Sequence, residues 1–398
     1  MTMNARLSFP PRPSFPNIQE LSPAFADFAN LNFPFPSRCL SSTPGEGVFM
    51  RALWLLLFMC FSTMAAADSW RLQVPRTAFD YGSGLEDVEY APLERAAQEW
   101  RLCIAYPHLK DAYWLSVNYG MVAEAARLGV SFNLVEAGGY PNLRRQVQQV
   151  EGCVADGADA LILGTVSFAG LTSTVERISA SVPVIAAVND IADAGITAKV
   201  GVSWTEMGAE AGRLIAARHP KGAPEVKVAW FPGPAKAGWV AFVEEGFRAA
   251  LADSSARIAV TKYGDTGREI QVRLVEEALD AVPDLDYIAG SAPAAEAAVS
   301  VLRARGMQGQ VQVVSDYMTH AVYRGVLRDR IIAAPTDFPV LQGRLAVEMA
   351  VRAIEGSLRF KHAGPVIRIF DRSTVSEDLL DQTLAPASFV PVFDFQPH

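Results

Sequence analysis

From residue 101 onward, short apolar runs alternate with longer amphipathic segments. The runs predict buried strands, and in the first half of this region they span residues 102–105, 132–135, 160–163, 182–188 and 200–202. The segments between them repeat apolar residues at helical spacing. Strands without a polar face that alternate with helices are typical of a parallel sheet covered by helices on both sides.

The same alternation repeats after residue 225. Predicted strands span residues 226–231, 258–261, 287–289, 311–315 and 331–335. Predicted helices span residues 235–251, 268–281, 294–305, 320–327 and 340–355. Because about ten strands exceed one comfortable open sheet, we predict an α/β fold of two doubly wound parallel-sheet lobes.

The first 67 residues differ from the rest of the chain. Residues 1–49 are rich in Pro, Ser, Asn and Phe and have no helical or strand period. We interpret them as an extension upstream of a start at Met50, with a low-complexity, disordered leader as the alternative. Residues 50–67 combine a basic start, an apolar run and an Ala-x-Ala exit, which is typical of a secretory signal peptide cleaved after Ala67. The run is short for a membrane span, and an uncleaved anchor is the alternative.

The domain boundaries follow from the same pattern. Residues 68–100 lack a clear strand signal and end in a helix-like stretch, 92–100, so we interpret them as an N-terminal arm. We assign residues 101–203 plus 316–337 to an N-terminal lobe. Residues 204–315 plus 338–398 are assigned to a C-terminal lobe.

Charge and cysteine content limit which partners and which disulfide the protein can have. The chain has 35 Lys and Arg against 43 Asp and Glu, a net charge of −8, with no basic stripe, so no nucleic-acid partner is expected. Export to an oxidising compartment permits disulfides. Cys103 begins the first predicted strand, and Cys153 ends a helix-like run, residues 142–154. If this helix crosses over that strand, the two thiols lie close enough to pair; two ordinary buried thiols are the alternative.

Signatures of enzymes are missing from the sequence. It contains no Gly-x-Ser-x-Gly elbow, no His-Glu-x-x-His, no Walker loop and no Gly-x-Gly-x-x-Gly fingerprint. Residues 232–238 resemble a phosphate loop at first sight, but the spacing is wrong and two prolines lack N–H donors, so we interpret them as a loop at a lobe edge. No histidine pairs with another, or with Cys, at ligand spacing. We therefore expect a protein that is not an enzyme, without a cofactor or metal.

Aromatic residues recur where predicted strands end. They are Tyr113, Trp114, Tyr140, Trp204 and Tyr317. Open α/β sheets bind ligands outside the carboxyl ends of their strands, and ring faces favour poorly hydrated cations such as N-methylated ammonium groups. Each ring alone could be ordinary core packing, but together they predict an aromatic cage for a small ligand. Asn189, which follows residues 182–188, is a candidate polar contact; helix capping or turn formation is its alternative role.

The stretch from Tyr106 to Met121, with Asp111 beside Tyr113 and Trp114, resembles the periplasmic trimethylamine N-oxide sensing proteins of the trimethylamine N-oxide respiration system. Further matches lie, in order, at residues 136–140, 200–204, 246–250, 295–298 and 322–325. Met50 also matches the position where such proteins begin.

The resemblance implies a type I periplasmic binding protein whose two lobes, joined by a three-strand hinge, close on a small ligand in the periplasm. It implies docking on the periplasmic domain of a sensor histidine kinase. It also implies a ligand pocket for trimethylamine N-oxide, formed by Asp111, Tyr113, Trp114, Tyr140, Trp204 and Tyr317. Ring faces suit the methyl groups, while a Tyr hydroxyl or a Trp Nε1–H suits the oxygen. Asp111 could face the methyl groups or orient a Tyr hydroxyl, and both roles stay open.

One alternative uses the same fold. A transport receptor could deliver a sugar or a quaternary amine to a permease as the substrate-binding component of an ABC transporter. Sugar-binding relatives commonly carry an acidic residue after the strand that crosses back between the lobes. Tyr317 occupies that place here, with Asp316 one residue earlier and expected to turn away.

Overall fold

Fifteen strands and ten helices build the part of the chain that the computed structural model describes, residues 69–397. The predicted extension, residues 1–49, and the predicted signal peptide, residues 50–67, lie outside the described residues. The strands are β1 Trp70–Thr77, β2 Asp80–Tyr90, β3 Arg101–Tyr106, β4 Ser131–Glu136, β5 Ala160–Leu163, β6 Val184–Ala187, β7 Ala198–Val200, β8 Val226–Gly233, β9 Ala256–Tyr263, β10 Tyr287–Gly290, β11 Gln312–Ser315, β12 Ala334–Thr336, β13 His362–Pro365, β14 Arg368–Phe370 and β15 Asp394–Phe395.

The helices alternate with the strands. They are α1 Ala112–Leu128, α2 Leu143–Ala155, α3 Thr172–Ser179, α4 Trp204–Ala216, α5 Val240–Leu251, α6 Arg268–Ala281, α7 Ala292–Ala304, α8 His320–Leu327, α9 Pro339–Ile354 and α10 Glu377–Thr383. Within residues 69–397, no helix is both long and apolar enough to cross a membrane.

Two main sheets define two lobes. The first has the order β15-β4-β3-β5-β6-β7-β13-β1-β2, and its strands from β4 to β13 are parallel. The second has the order β11-β10-β8-β9, and all four strands are parallel. Strands such as β3 are buried on both faces, as expected where helices cover both sides of a parallel sheet. The predicted two-lobed α/β fold is confirmed.

The segment predicted as an N-terminal arm contains two strands for which the sequence shows no clear signal. β1 and β2 form an antiparallel hairpin that joins the first sheet through β13. Trp70, Leu72 and Val74 alternate into the core, but β2 is an edge strand with mostly polar residues, which hid the hairpin in the sequence.

Residues 92–100 are not helical, contrary to the prediction. Two of their N–H groups donate to carboxylates in α9 and directly after it instead of to a helical ladder. The Leu93 N–H donates to Glu348 (2.8 Å), and the Ala97 N–H donates to Glu355 (2.7 Å). These bonds satisfy backbone donors that an extended segment would otherwise leave without partners.

The assignment of the last segments to lobes is also wrong. Residues 338–398 lie largely in the first lobe: α9 packs on α1, β13 pairs with β7 and β15 pairs with β4. The contact between α1 and α9 is close, since a Cβ at Gly343 would lie 2.2 Å from the Val117 carbonyl oxygen. Residues 316–337 lie in the second lobe, where α8 packs on α7 and β12 lies beside β11. Hydrophobic periodicity predicts that a helix is covered but not which sheet covers it.

The two cysteines expected to pair are joined by a disulfide in the structure. Cys103 in β3 and Cys153 near the end of α2 have Cα atoms 6.0 Å apart. The bond fastens α2 to the amino-terminal half of β3, and the site described below lies beyond the opposite end of that strand.

Candidate functional site

Rings from both lobes line a small cavity where the strands of the two sheets end. Its volume is about 20 Å³, and its lining residues are Asp111, Tyr113, Trp114, Tyr140, Val188, Asn189, Trp204, Trp239 and Tyr317. The list contains all seven residues that the sequence predicted for ligand binding. The closed cavity is far smaller than typical ligand and cofactor pockets, so it can serve only a very small ligand.

The first lobe contributes the start of α1. Asp111 is the N-cap of this helix, and its carboxylate accepts a hydrogen bond from the Tyr113 N–H (2.6 Å). The cap places Tyr113 and Trp114 in the first helical turn. Gly164 makes room for the indole, since a Cβ there would lie 2.5 Å from the Trp114 ring.

The second lobe contributes three more rings. Trp204 opens α4 directly after its N-cap, Ser203, and its Nε1–H donates to the Val188 carbonyl oxygen (3.0 Å). Tyr317 follows β11. Trp239 lies between β8 and α5, next to Trp204 with ring centroids 5.1 Å apart.

The rings meet edge to face and form walls at steep angles. The ring centroids of Tyr317 and Tyr113 lie 5.4 Å apart, with an interplanar angle of 80°. The centroid of Tyr317 also lies 6.1 Å from that of Trp239, with an interplanar angle of 90°, and 6.4 Å from that of Trp204, with an angle of 88°. Edge-to-face pairs of this kind are favourable beyond the area they bury, so the walls support one another without a ligand.

The three tyrosine hydroxyls of the cavity are not equivalent. The Tyr113 hydroxyl donates to Asp337 (2.6 Å), and the Tyr317 hydroxyl donates to Asp111 (3.0 Å). The Tyr140 oxygen instead accepts, from Asn189 Nδ2 (3.2 Å) and from Trp239 Nε1 (3.1 Å). Among the hydrogen bonds of residues 69–397, none uses the Tyr140 proton, so this proton is available to a ligand.

Burial governs the protonation of the site. It raises the pKa of the Tyr113, Tyr140 and Tyr317 hydroxyls well above their ordinary value, so all three remain protonated donors. Burial also raises the pKa of Asp111, against the opposing effects of His108 and of the hydrogen bonds from Tyr113 and Tyr317.

Behind the cavity, Asp337 lies where the chain passes from β12 into α9. Burial raises the pKa of its carboxyl to about 6, against hydrogen bonds from Tyr113 and Gln342. The Gln342 amide donates to the same carboxylate oxygen as the Tyr113 hydroxyl (2.6 Å). This pair fixes Tyr113 and was not predicted from the sequence, because the prediction relied on aromatic residues near strand ends and neither residue is aromatic.

Contacts between the lobes surround the cavity. His108 Nε2 lies 2.9 Å from the Thr266 hydroxyl, and the Lys110 ammonium lies 3.6 Å from the Asp265 carboxylate. In the loop before α5, a Cβ at Gly238 would lie 1.9 Å from the Asp190 carbonyl oxygen. The two lobes are therefore closed over the cavity.

Trp239 is the one ring of the cavity that sequence reasoning missed. We predicted a helix from residue 235, which placed this tryptophan inside a helix and away from a strand end. The helix begins at Val240, so Trp239 ends the loop that follows β8. An aromatic residue after a strand was the right signal, but the predicted start of the helix concealed it.

The remaining polar clusters give no sign of a metal site. Within residues 69–397, no group of three or more His, Cys, Asp or Glu side chains is arranged to hold a metal ion. The histidines make structural hydrogen bonds, for example His362 Nε2 with the Tyr81 hydroxyl (3.0 Å) and His219 Nε2 with the Tyr287 hydroxyl (2.8 Å).

Comparison with known proteins agrees with this geometry. A family model described as periplasmic binding proteins and sugar binding domain of the LacI family matches residues 99–390. The periplasmic protein TorT of Escherichia coli strain K12 is 41% identical over 305 residues, which cover 76% of this chain and 86% of TorT.

Solved structures give the same result. A chain in the crystal structure of the TorS sensor domain–TorT complex without ligand is 41% identical, with a TM-score of 0.67, and the match covers 74% of this chain and 99% of that chain. A chain in the crystal structure of the same complex in the presence of trimethylamine N-oxide is 40% identical, also with a TM-score of 0.67. An ABC transporter solute binding protein from Bradyrhizobium sp. BTAi1 with bound bis-tris is 47% identical, with a TM-score of 0.70, covering 81% of this chain and 98% of that chain.

The two lobes closed over a small cavity, together with the family match and the similarity to TorT, identify a type I periplasmic binding protein, which binds its ligand and is not an enzyme. This chain belongs to the family of periplasmic binding proteins and LacI-type sugar binding domains, as a TorT-like member. It is a protein of the periplasm, and the resemblance identified in the sequence is confirmed.

Proposed function

We propose that the protein binds trimethylamine N-oxide in the periplasm and regulates a membrane sensor histidine kinase, in a two-component system that controls trimethylamine N-oxide respiration. The observation that carries the proposal is the Tyr140 proton, which no protein group accepts within residues 69–397, inside a cavity lined mainly by aromatic rings. The relative TorT supports it, because TorT forms a complex with the TorS sensor domain that has been solved in the presence of this ligand.

The chemistry of the ligand matches the polarity of the cavity. Its N-oxide oxygen is a strong acceptor and pairs with the Tyr140 hydroxyl. Its methyl groups carry partial positive charge and lie on the faces of Trp114, Trp204 and Tyr317, each such contact contributing about 0.5–2 kcal/mol. The Asp111 carboxylate lies at the methyl side, where it adds attraction and holds Tyr317.

These contacts together account for an affinity in the micromolar range, about −8 kcal/mol. Binding also requires the closed lobes, since rings from both lobes are needed. A partner that recognises the closed lobes would then sense the ligand through the change of conformation.

Isothermal titration of the protein purified from the periplasm tests the proposal. Trimethylamine N-oxide would be titrated into the protein alone and with the periplasmic domain of the kinase from the same organism. Micromolar binding to the protein alone is the expected result. Binding only in the presence of the kinase domain would still support a sensor function, and would mean that the kinase domain helps to form the binding site. No binding in either arm, with glycine betaine, choline or a sugar binding instead, would refute the proposed ligand.

A transport receptor is the second candidate, because one relative of 47% identity is described as an ABC transporter solute binding protein. The two functions use the same lobes and differ in the partner. Co-purification with a kinase domain supports the sensor, whereas stimulation of the ATPase of a reconstituted permease by the liganded protein supports transport.

A further inference from the structure

We propose that Asn189 and Trp239 are positioning residues that make Tyr140 an obligate hydrogen-bond donor. The cavity then selects a ligand with an acceptor oxygen over a methylammonium cation of the same shape. The inference rests on the proposed function and adds to it the basis on which the N-oxide is recognised.

The donor role of Asn189 is fixed by its second partner. The amide nitrogen lies 2.7 Å from the Thr165 carbonyl oxygen and 3.2 Å from the Tyr140 hydroxyl. A backbone carbonyl can only accept, so the atom facing it must be the NH₂ group. The same NH₂ group therefore donates to Tyr140, and the opposite orientation of the amide would place two acceptors against each other.

Trp239 donates from the other lobe. An indole Nε1–H is a donor only, and it lies 3.1 Å from the Tyr140 oxygen. Trp239 is 2% exposed and Asn189 is also 2% exposed, so water does not compete for either bond. The donation from Trp239 exists only while the lobes are closed, which couples the polarity of Tyr140 to closure.

Because both neighbours donate, the Tyr140 proton can form a hydrogen bond only with a group inside the cavity. A phenolic oxygen has one O–H and accepts with its lone pairs, and both neighbours occupy the accepting positions. The proton cannot point to either neighbour and must serve a group in the cavity. The hydroxyls of Tyr113 and Tyr317 and the Trp204 Nε1–H already have acceptors in the protein, so they are not available to the ligand. The Trp114 Nε1–H makes no hydrogen bond within residues 69–397 and is a second donor beside Tyr140.

Tetramethylammonium is the informative comparison ligand. A methyl group replaces the N-oxide oxygen, and the cation has no acceptor and no N–H. Its full positive charge strengthens the contacts with the rings and Asp111, but it leaves the Tyr140 proton buried without a partner, which is costly. Wild-type protein is expected to bind trimethylamine N-oxide more tightly than tetramethylammonium, and the inference concerns how each variant changes this preference.

A double-mutant cycle on the ratio of the two dissociation constants tests the inference. Tyr140→Phe should lower the preference for the N-oxide at least about tenfold. Asn189→Asp supplies an acceptor that captures the Tyr140 proton, and should lower the preference at least about tenfold. In the Tyr140→Phe background, Asn189→Asp should lower the preference less, because the proton it captures is absent and only the attraction of the new carboxylate for the cation remains.

Trp239→Phe is the second variant, with Trp204→Phe as its matched control. Each change removes one indole from the cavity wall, but only Trp239 donates to Tyr140. Trp239→Phe should lower the preference for the N-oxide, while Trp204→Phe should weaken both ligands equally. Circular dichroism and thermal unfolding check that each variant is folded.

The outcomes separate the inference from the function it rests on. If wild-type protein does not bind the N-oxide, the proposed function fails. If wild-type protein binds it with the expected preference, but Tyr140→Phe, Asn189→Asp and Trp239→Phe all retain that preference, the inference alone is overturned. An Asn189→Asp effect of equal size in both backgrounds would also overturn it, because Asn189 would then act independently of Tyr140.

Discussion

The hydroxyl of Tyr317 donates to the carboxylate of Asp111 across the boundary between the lobes, over 3.0 Å. Asp111 begins α1 in the first lobe, and Tyr317 follows β11 in the second. Both side chains line the cavity and both are nearly buried. The bond therefore exists only when the lobes are closed, and it stabilises the state in which the cage is complete.

Removing this hydroxyl should weaken ligand binding without disturbing the ring. A hydrogen bond to a charged acceptor contributes about 1.5–3 kcal/mol, so Tyr317→Phe should raise the dissociation constant for trimethylamine N-oxide about ten- to hundredfold. Isothermal titration measures the change. Tyr119→Phe, which removes a hydroxyl from α1 outside the cavity, should leave the constant unaltered. An unchanged constant in Tyr317→Phe would mean that the bond does not support closure.

A substitution at Gly164, which does not line the cavity, should change the position of Trp114. A Cβ at Gly164 would lie 2.5 Å from the indole, so Gly164→Ala should displace the ring and lower ligand affinity, by about tenfold for a shift that disrupts one cation–π contact. Gly152→Ala is the control, because nothing lies within 4 Å of a Cβ at this position in α2. The control should raise the unfolding free energy by about 0.5–1 kcal/mol and leave affinity unaltered. Equal affinities in both variants would contradict the proposed role of Trp114.

The disulfide should support stability and not binding. Cys103 and Cys153 are 50 residues apart in sequence, and closing a loop of this length lowers the entropy of the unfolded chain by the equivalent of about 4 kcal/mol. A Cys103→Ala, Cys153→Ala double variant should lose free energy of unfolding of this order in urea titrations. Its ligand affinity should stay within about twofold of the wild type, since the bond lies at the other end of β3 from the cavity.

Sequence reasoning located the strands and helices from 101 to 355 because buried parallel strands are almost wholly apolar there. Helices α6 and α8 begin and end at the predicted residues, 268–281 and 320–327. It missed the β1–β2 hairpin, whose outer strand is stabilised by pairing with β1 and not by an apolar face. It also reversed the lobes of residues 316–337 and 338–398, because topology depends on contacts between distant segments.

The cavity could be anticipated only in part for a similar reason. Aromatic residues shortly after a predicted strand, such as Tyr140 and Trp204, can be recognised in the sequence. The supporting residues lack this combination, since Asp337 is not aromatic and Trp239 fell inside a predicted helix. Asp337 reaches Tyr113 from 224 residues away, and Trp239 reaches Tyr140 from 99 residues away. Such partners become visible only when the closed lobes bring them together.

His362 should make stability depend on pH below neutrality. Its Nδ1 accepts from the Phe79 N–H (3.2 Å), and its Nε2 bonds the Tyr81 hydroxyl (3.0 Å), so the neutral ring holds the β1–β2 turn against β13. Burial, assisted by the Lys199 charge, lowers the pKa of His362 from 6.5 to about 3. Between these two values the unfolded chain binds a proton at this residue and the folded chain does not. The contribution of His362 to stability is therefore complete above pH 6.5 and decreases as the pH falls, by about 1.4 kcal/mol per pH unit.

The difference between wild type and His362→Gln isolates this contribution from the buried carboxyls, which titrate in both proteins. Urea unfolding at a series of pH values from 7 to 4 should show the stability of the wild type falling more steeply with decreasing pH than that of the variant. At pH 7 the variant should be the less stable protein, because it loses the ring contacts with Phe79 and Tyr81. Parallel curves would mean that His362 is protonated in the folded protein or exposed to water, and would refute its role as a neutral link.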